Sequence, residues 1–238
     1  MKKSLKLIFF LLIAKAQFSQ DLIETIKKKD TVMARALIEN GADVNLRLKS
    51  GVTPLFSACS HNLIGIAALL IEKGASINAQ LENGLTALAF ASQEGYREIV
   101  QLLLSKGANV SLKAGNGWDA LRFASRNGRL EVVKLLIDNG ANVNSKDTYS
   151  STALASAVSK GHLEIIRLLL SKGADINNLD KDNETPVMYC AQSGQIESLK
   201  LLLAYKPDLT IKNKEGKTAA VIAKENGQPE IEKLLQDN

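Results

Sequence analysis

A glycine recurs along this chain at a fixed interval of 33 residues, at Gly41, Gly74, Gly107, Gly140 and Gly173. A second marker, which begins with a threonine or an aspartate followed by two small or apolar residues, keeps the same interval. It begins at Thr53, Thr86, Asp119, Thr152, Thr185 and Thr218. Two signals in one phase over most of the chain indicate structural repeats. A period of this length predicts a solenoid, in which each unit buries its apolar face only against its neighbours.

Residues 82–113 show what is repeated. The pair Asn83-Gly84 is a turn signal, and Thr86 is placed to cap the helix that follows. Small residues at helical spacing predict a first helix that packs closely on both sides and ends before Gly95. A broad apolar stripe predicts a second helix over about 97–106, ended by another glycine. The predicted unit is a turn, a short helix, a tight loop, a longer helix and a return segment.

Two units carry close matches to a known motif: Thr53–Ala58 reads Thr-Pro-Leu-Phe-Ser-Ala, and Thr185–Cys190 reads Thr-Pro-Val-Met-Tyr-Cys. Over roughly residues 20–238 the chain resembles ankyrin-repeat proteins, whose motif is T-P-L-H-x-A at this period. The resemblance implies an all-α ankyrin-repeat solenoid of stacked helix-turn-helix units joined by β-hairpin-like turns. The motif's histidine is absent, which predicts a weaker polar network between units. Its position holds Phe56, Ala89, Arg122, Ala155, Met188 and Val221.

The repeat phase divides residues 17–238 into seven units. The first is a cap over 20–47, and the last is a closing cap over 213–238, with a shortened second helix. Terminal units are expected to be polar on their outer face because nothing covers them. Lys206-Pro207 replaces Gly-Ala in the sixth unit, which predicts a strained corner there. The five full repeats are residues 48–80, 81–113, 114–146, 147–179 and 180–212.

Residues 1–16 lie outside this repeat pattern and have the composition of a secretory signal peptide. Lys2 and Lys3 precede an apolar run over 7–14, and Ala14-Lys15-Ala16 fits a small-x-small cleavage site. The run is shorter than the ~20 residues that span a bilayer, so no stable membrane insertion is expected after cleavage. The alternative is an amphipathic helix packed on the first cap. The lysine-rich composition is interpreted as bacterial, which predicts a periplasmic or secreted protein.

The charge of the repeat region argues against nucleic-acid binding. The whole chain carries a formal charge of +5, but residues 1–16 contain four lysines and no acidic residue. The remaining chain is therefore almost neutral, whereas a nucleic-acid binder keeps a basic surplus on one face.

No group of residues predicts catalysis, a cofactor or a metal. His61 and His162 lie three repeats apart, so no catalytic or metal-binding pair uses both. Cys59 and Cys190 occupy positions of small core residues and are predicted to be buried and unpaired. Residues 180–184 resemble the start of a calcium-binding loop but lack its glycine and its final glutamate. The chain is therefore predicted not to be an enzyme.

The remaining candidate is a surface for a protein partner. In ankyrin proteins the hairpin tips and the exposed side of each first helix line a concave groove that holds partners. Aromatic residues and arginine dominate such interfaces, and the candidates here are Leu85, Trp118, Arg122, Arg126 and Tyr149. Two hypotheses stay open for Trp118, a partner contact or packing over neighbouring hairpins, while packing is favoured for Leu85.

These observations predict an exported, monomeric ankyrin-repeat protein that binds another protein through its concave groove. Two alternatives are an immunity or inhibitor protein that neutralises a toxin or enzyme, and a protective scaffold for envelope enzymes.

Overall fold

The computed structural model describes residues 21–238, and the predicted signal peptide over residues 1–16 lies outside them. The chain divides into two compact units. The first contains the described part of Met1–Ala91 together with Tyr96–Asn109, and the second contains Ser92–Gly95 and Val110–Asn238. Each unit is built from pairs of antiparallel helices, as the repeat pattern predicts.

In the first unit, each repeat contributes a short first helix and a second helix. The second helices pack side by side, α2 on α4 and α4 on α6, while α3 packs on its own partner α4. The helix bounds are α1 (21–27), α2 (Thr31–Glu39), α3 (Pro54–Ser60), α4 (Ile64–Glu72), α5 (Ala87–Glu94, of which the last three residues belong to the second unit) and α6 (Arg97–Ser105).

The second unit continues the pattern in two helical layers. The first helices α7, α9, α11 and α13 pack in one row, and the second helices α8, α10, α12 and α14 pack in the other. Their bounds are α7 (Ala120–Arg126), α8 (Leu130–Asp138), α9 (Ala153–Lys160), α10 (Leu163–Ser171), α11 (Pro186–Ser193), α12 (Ile196–Leu203), α13 (Ala219–Glu225) and α14 (Pro229–Gln236). The core between the layers contains Leu121, Leu136, Leu154, Ile166 and Leu169, all at most 1% exposed.

The helix ends follow the sequence signals. The side chain of Thr152 accepts a hydrogen bond from the Ala155 amide, and Asp119 caps α7 in the same way. Thr86 accepts from the Ala89 amide at 3.0 Å, which confirms its predicted capping role. At the predicted strained corner, Lys206 adopts φ 54°, a conformation that the equivalent glycines of the other repeats adopt without a Cβ penalty.

The turns between repeats are hairpin-like but form no sheet. Among residues 21–238 the only β pairing is an isolated bridge between Gln80 and Thr86. Each turn closes instead through two backbone hydrogen bonds, such as Asp147 N to Ser151 O and Ser150 N to Asp147 O, both 3.0 Å. The same pair of hydrogen bonds recurs in each described turn between repeats.

The first cap is less polar than expected. Val32 is 80% exposed and Met33 52% exposed on α2, and Ile64 is 45% exposed at the start of α4. Val32 and Ile64 border an open groove of about 460 Å³. The reason lies in the sequence, because Val32 and Gly65 stand where each of the later repeats has a glutamate.

Within residues 21–238, no helix combines the length and apolar character needed to cross a membrane.

Candidate functional site

Trp118 lies at the end of the turn that precedes α7. This turn closes through hydrogen bonds from Ala114 N to Trp118 O, 2.9 Å, and from Gly117 N to Ala114 O, 2.8 Å. Asn116 Oδ1 accepts from the Trp118 amide at 3.0 Å. Gly117 has φ +79°, and a Cβ there would lie 2.6 Å from the amide nitrogen of Thr148 in the next turn. Glycine is required at this position because the two turns lie directly against each other.

The indole ring of Trp118 is fixed by four side chains of the second unit. Its Nε1–H donates to Asp147 Oδ2 at 3.1 Å, and the ring meets Phe123 edge-on with centroids 5.1 Å apart. The guanidinium carbons of Arg122 and Arg126 lie 4.7 and 5.4 Å from its centroid. The ring therefore makes the intramolecular contacts that the packing hypothesis requires. Since it is only half-buried, it also keeps the accessible area that a partner contact requires.

Asp147 connects this ring to the next repeat. Its side chain is 3% exposed and has four hydrogen-bond donors around it. Oδ1 accepts from the backbone amides of Tyr149 and Ser151, at 2.8 and 2.9 Å. Oδ2 accepts from Trp118 Nε1 and pairs with Arg122 Nη1 at 3.0 Å. A buried carboxylate with all these donors is a fixed structural anion, and it links two consecutive turns.

The absence of the motif's histidine predicted a weaker polar network between repeats, but here Arg122 provides a polar link. It stands at the motif's histidine position and, besides Asp147, donates to the backbone oxygen of Ser151 in the next turn. The residue is only 8% exposed. Burial lowers the pKa of its guanidinium, and the charge of Asp147 opposes that shift. Arg122 is therefore a positioning residue under the surface, and it provides a polar link between these two repeats.

Tyr149 lies at the tip of the next turn and is 65% exposed. The Nζ atom of Lys181, from the following turn, lies 5.4 Å from its ring centroid. The backbone of the two turns is joined as well, since the Lys181 amide donates to Tyr149 O at 2.8 Å. Lys181 was not among the candidates predicted from sequence, and only the ring contact identifies it.

Trp118, Arg126, Tyr149 and Lys181 lie on three consecutive repeats, and Asp147 links the Trp118 ring to the Tyr149 backbone; these four residues are here called the hairpin surface. Arg126 is exposed at the end of α7. Its guanidinium has no hydrogen-bond or ion-pair partner among residues 21–238 and lies over the Trp118 ring. The patch therefore combines aromatic area with cations whose donors are unused.

The repeat geometry agrees with the comparison with known families. The family model described as ankyrin repeats (3 copies) matches residues 22–114, 110–180 and 177–238. This chain belongs to the ankyrin-repeat family. Ankyrin repeats are generally protein–protein interaction modules without catalytic activity. No curated protein matches the chain.

Leu85 occupies the ankyrin-turn position equivalent to Trp118, within the first unit. Its side chain is half-buried. Its backbone closes the turn, with Leu81 N donating to Leu85 O at 2.9 Å and Leu85 N to Asn83 Oδ1 at 3.1 Å. These contacts fix the backbone of the turn at Leu85, and packing of its side chain stays a prediction.

The other residues considered from sequence have structural roles in the ankyrin repeats. His162 Nε2 lies 3.0 Å from the backbone oxygen of Arg126, and its ring fills the space beside Gly128. Cys59 and Cys190 are fully buried, as predicted, and burial raises the pKa of the Cys59 thiol to about 12. Such thiols are poor nucleophiles.

The acidic turn at 180–184 is also occupied by internal contacts. The Tyr189 hydroxyl donates to Asp180 Oδ2 at 2.6 Å, and burial raises the pKa of that phenol. Burial, followed by the charge of Asp180, raises the pKa of the Glu184 carboxyl. The described part of the chain contains no group of three or more His, Cys, Asp or Glu side chains that could hold a metal ion.

Proposed function

We propose that this ankyrin-repeat chain acts as an exported bacterial monomer and binds a protein partner through the hairpin surface, without catalysis of its own. The single observation that carries the binding proposal is the hairpin surface itself. It combines an unpaired arginine over a half-buried tryptophan with an exposed tyrosine on the next repeat. These residue types dominate the binding energy of protein interfaces.

The support beneath the hairpin surface strengthens this proposal. Trp118 is held by its hydrogen bond to Asp147, and Tyr149 by a backbone hydrogen bond to the same carboxylate. Binding therefore needs little ordering of these groups, which lowers the entropic cost of association. Arg122 contributes indirectly, because its ion pair with Asp147 keeps that carboxylate in place.

The binding test uses alanine variants against a partner captured from the envelope fraction of the native host. Tyr149→Ala and Arg126→Ala each remove an exposed side chain and should weaken binding by about 1–3 kcal/mol with nearly unchanged melting. Trp118→Ala should weaken binding and also lower the melting temperature, because the ring makes internal contacts. Glu131→Ala and Lys134→Ala are matched controls on α8 of the same repeat, where the two side chains form an exposed pair at 2.7 Å.

Two results would contradict binding through the hairpin surface. Normal binding by both Tyr149→Ala and Arg126→Ala would place the interface elsewhere on the repeats. Equal weakening by the α8 controls would show that the loss is not specific to the hairpin surface.

The export part of the proposal rests on the lysine start, the short apolar run and the small-x-small site within residues 1–16. Mass spectrometry of the protein from its native host should find an N-terminus near Gln17, in the envelope fraction or the medium. Recovery of only the uncleaved chain, and only from the cytosol, would refute export.

A further inference from the structure

The two cations of the hairpin surface rest on aromatic rings instead of carboxylates. Arg126 lies over Trp118, and Lys181 lies over Tyr149, each 5.4 Å from the ring centroid. Neither side chain forms an ion pair within residues 21–238. On the opposite helices, by contrast, Lys134 and Lys200 are paired with glutamates at 2.7 and 2.8 Å. An aromatic face orients a cation without occupying its N–H donors, so both groups remain free to bind an anion.

Three acidic side chains near the hairpin surface already have partners. Asp147 is 3% exposed and has four donors, and Asp119, 7% exposed, caps α7 through the Arg122 amide at 3.0 Å. Asp182, at the tip that carries Lys181, faces Lys214 at 3.6 Å. Arg126 and Lys181 are therefore two cations of the hairpin surface that have no carboxylate partner among residues 21–238.

We propose that the hairpin surface recognises an acidic segment of its protein partner. Carboxylates of the segment bind Arg126 and Lys181, and an apolar or aromatic side chain between them covers Tyr149. This inference rests on the proposed function and specifies the chemistry of the partner at that surface. Arginine is especially suited to this role because its planar fork binds a carboxylate through two parallel hydrogen bonds.

The distance between Arg126 and Lys181 determines how far apart the two acidic residues of the partner segment must lie. Arg126 and Lys181 belong to repeats two steps apart, and stacked helices about 10 Å in diameter place them on the order of 20 Å apart. An extended chain advances about 3.3 Å per residue, so the two acidic positions lie about six residues apart. A nucleic acid is a weaker match, because a phosphate backbone needs a longer run of cations than these two provide.

The test titrates the purified protein with a peptide of about ten residues that carries two glutamates about six residues apart and a central phenylalanine. The matched control peptide has glutamine in place of both glutamates. Trp118 is the only tryptophan in the chain, so its fluorescence reports binding directly at the hairpin surface. We expect saturable binding of the acidic peptide that weakens as NaCl rises from about 0.05 to 0.5 M, and weaker binding of the control.

Charge-removing variants locate the contact. Arg126→Gln and Lys181→Gln should each weaken binding of the acidic peptide by about two- to fivefold, the range of exposed ion pairs. Lys134→Gln on α8, which removes one cation from the same repeat as Arg126, should leave the affinity unchanged. Circular dichroism should show unchanged folding in all three variants because the side chains are exposed.

Three outcomes would overturn the inference. These are no binding of the acidic peptide up to about 1 mM, equal binding of the glutamine peptide, or tighter binding of an oligothymidine of similar length. The proposed function fails separately. If a captured protein partner loses affinity with Tyr149→Ala but not with Arg126→Gln or Lys181→Gln, binding at the hairpin surface stands and only the acidic partner is refuted.

Discussion

The Asp147 carboxylate lies at the point where two neighbouring repeats are joined, and its replacement by asparagine tests that role. The change preserves size and leaves one oxygen to accept from the amides of Tyr149 and Ser151. The other oxygen becomes an NH₂ group that faces two donors, the Trp118 indole and the Arg122 guanidinium. Two hydrogen bonds are thus replaced by donor–donor contacts.

The cost follows from the burial of the pair. The side chains of Arg122 and Asp147 are 10% and 3% exposed, so the guanidinium loses its counter-ion where water cannot replace it. Removing one partner of a buried ion pair costs about 3–5 kcal/mol. Because the Ser151 oxygen still accepts from Arg122, we expect the lower end, about 3 kcal/mol. Asp182→Asn is the matched control, since its pair with Lys214 is 73% and 60% exposed and is worth less than about 1 kcal/mol.

Urea unfolding measures both changes. Trp118 fluorescence reports the affected turn, and far-UV circular dichroism reports all helices. In a repeat array a substitution destabilises mainly the repeat that carries it and its neighbours. The urea midpoint measured by fluorescence should therefore fall further than the midpoint measured by circular dichroism. Adding Arg122→Leu to Asp147→Asn should recover at least about 1 kcal/mol, because it removes the stranded charge.

The explanation would be refuted if Asp147→Asn cost no more than Asp182→Asn. It would also be refuted if the double variant were less stable than Asp147→Asn alone.

Three further changes test other parts of the structure. Leu136→Asp places an unpaired charge at a fully buried position, so we expect the free energy of unfolding to fall by several kcal/mol and circular dichroism to show a partly folded chain. An unchanged melting temperature would show that the buried face of α8 is assigned wrongly. Lys206→Gly removes the Cβ from a residue with φ 54°, so we expect the free energy of unfolding to rise by about 0.5–1 kcal/mol after the entropic cost of glycine, with a higher melting temperature. A lower melting temperature would show that Lys206 is not strained. Cys59 and Cys190 are buried, and burial raises the pKa of both thiols, so a thiol reagent should label them only after urea unfolding; prompt labelling of the native protein would disprove this burial.

Much of the fold could be predicted from sequence because the period fixes the register of every helix. The predicted second helix over about 97–106 differs by one residue from α6, Arg97–Ser105. The cysteines are buried because their positions hold alanine or other small residues in neighbouring repeats. Such predictions succeed since each repeat meets nearly the same surroundings as the next.

The hairpin surface could be predicted only in part. The period places Arg122 on the first helix but does not give its depth, and the structure buries it against Asp147. One signal was present: the first turn position is Asp147, Asp180 or Asn213 in the last three turns but leucine or alanine in the three before them. The role of Lys181 depends on the Tyr149 ring in the preceding turn, a contact between repeats that no single-repeat pattern contains.

The side-chain hydrogen bonds between successive turns and loops of the second unit join residues only 28 to 36 positions apart. Lengthening such a chain by whole repeats therefore leaves the loop-closure entropy of each contact unchanged, and folding need not slow as the array grows. A duplication or deletion of 33 residues would keep equivalent backbone positions opposite each other, although pairs such as Trp118 and Asp147 belong to one repeat junction. Loss of a single residue from a turn would instead misalign the next repeat, so this architecture favours evolutionary change in steps of one complete repeat.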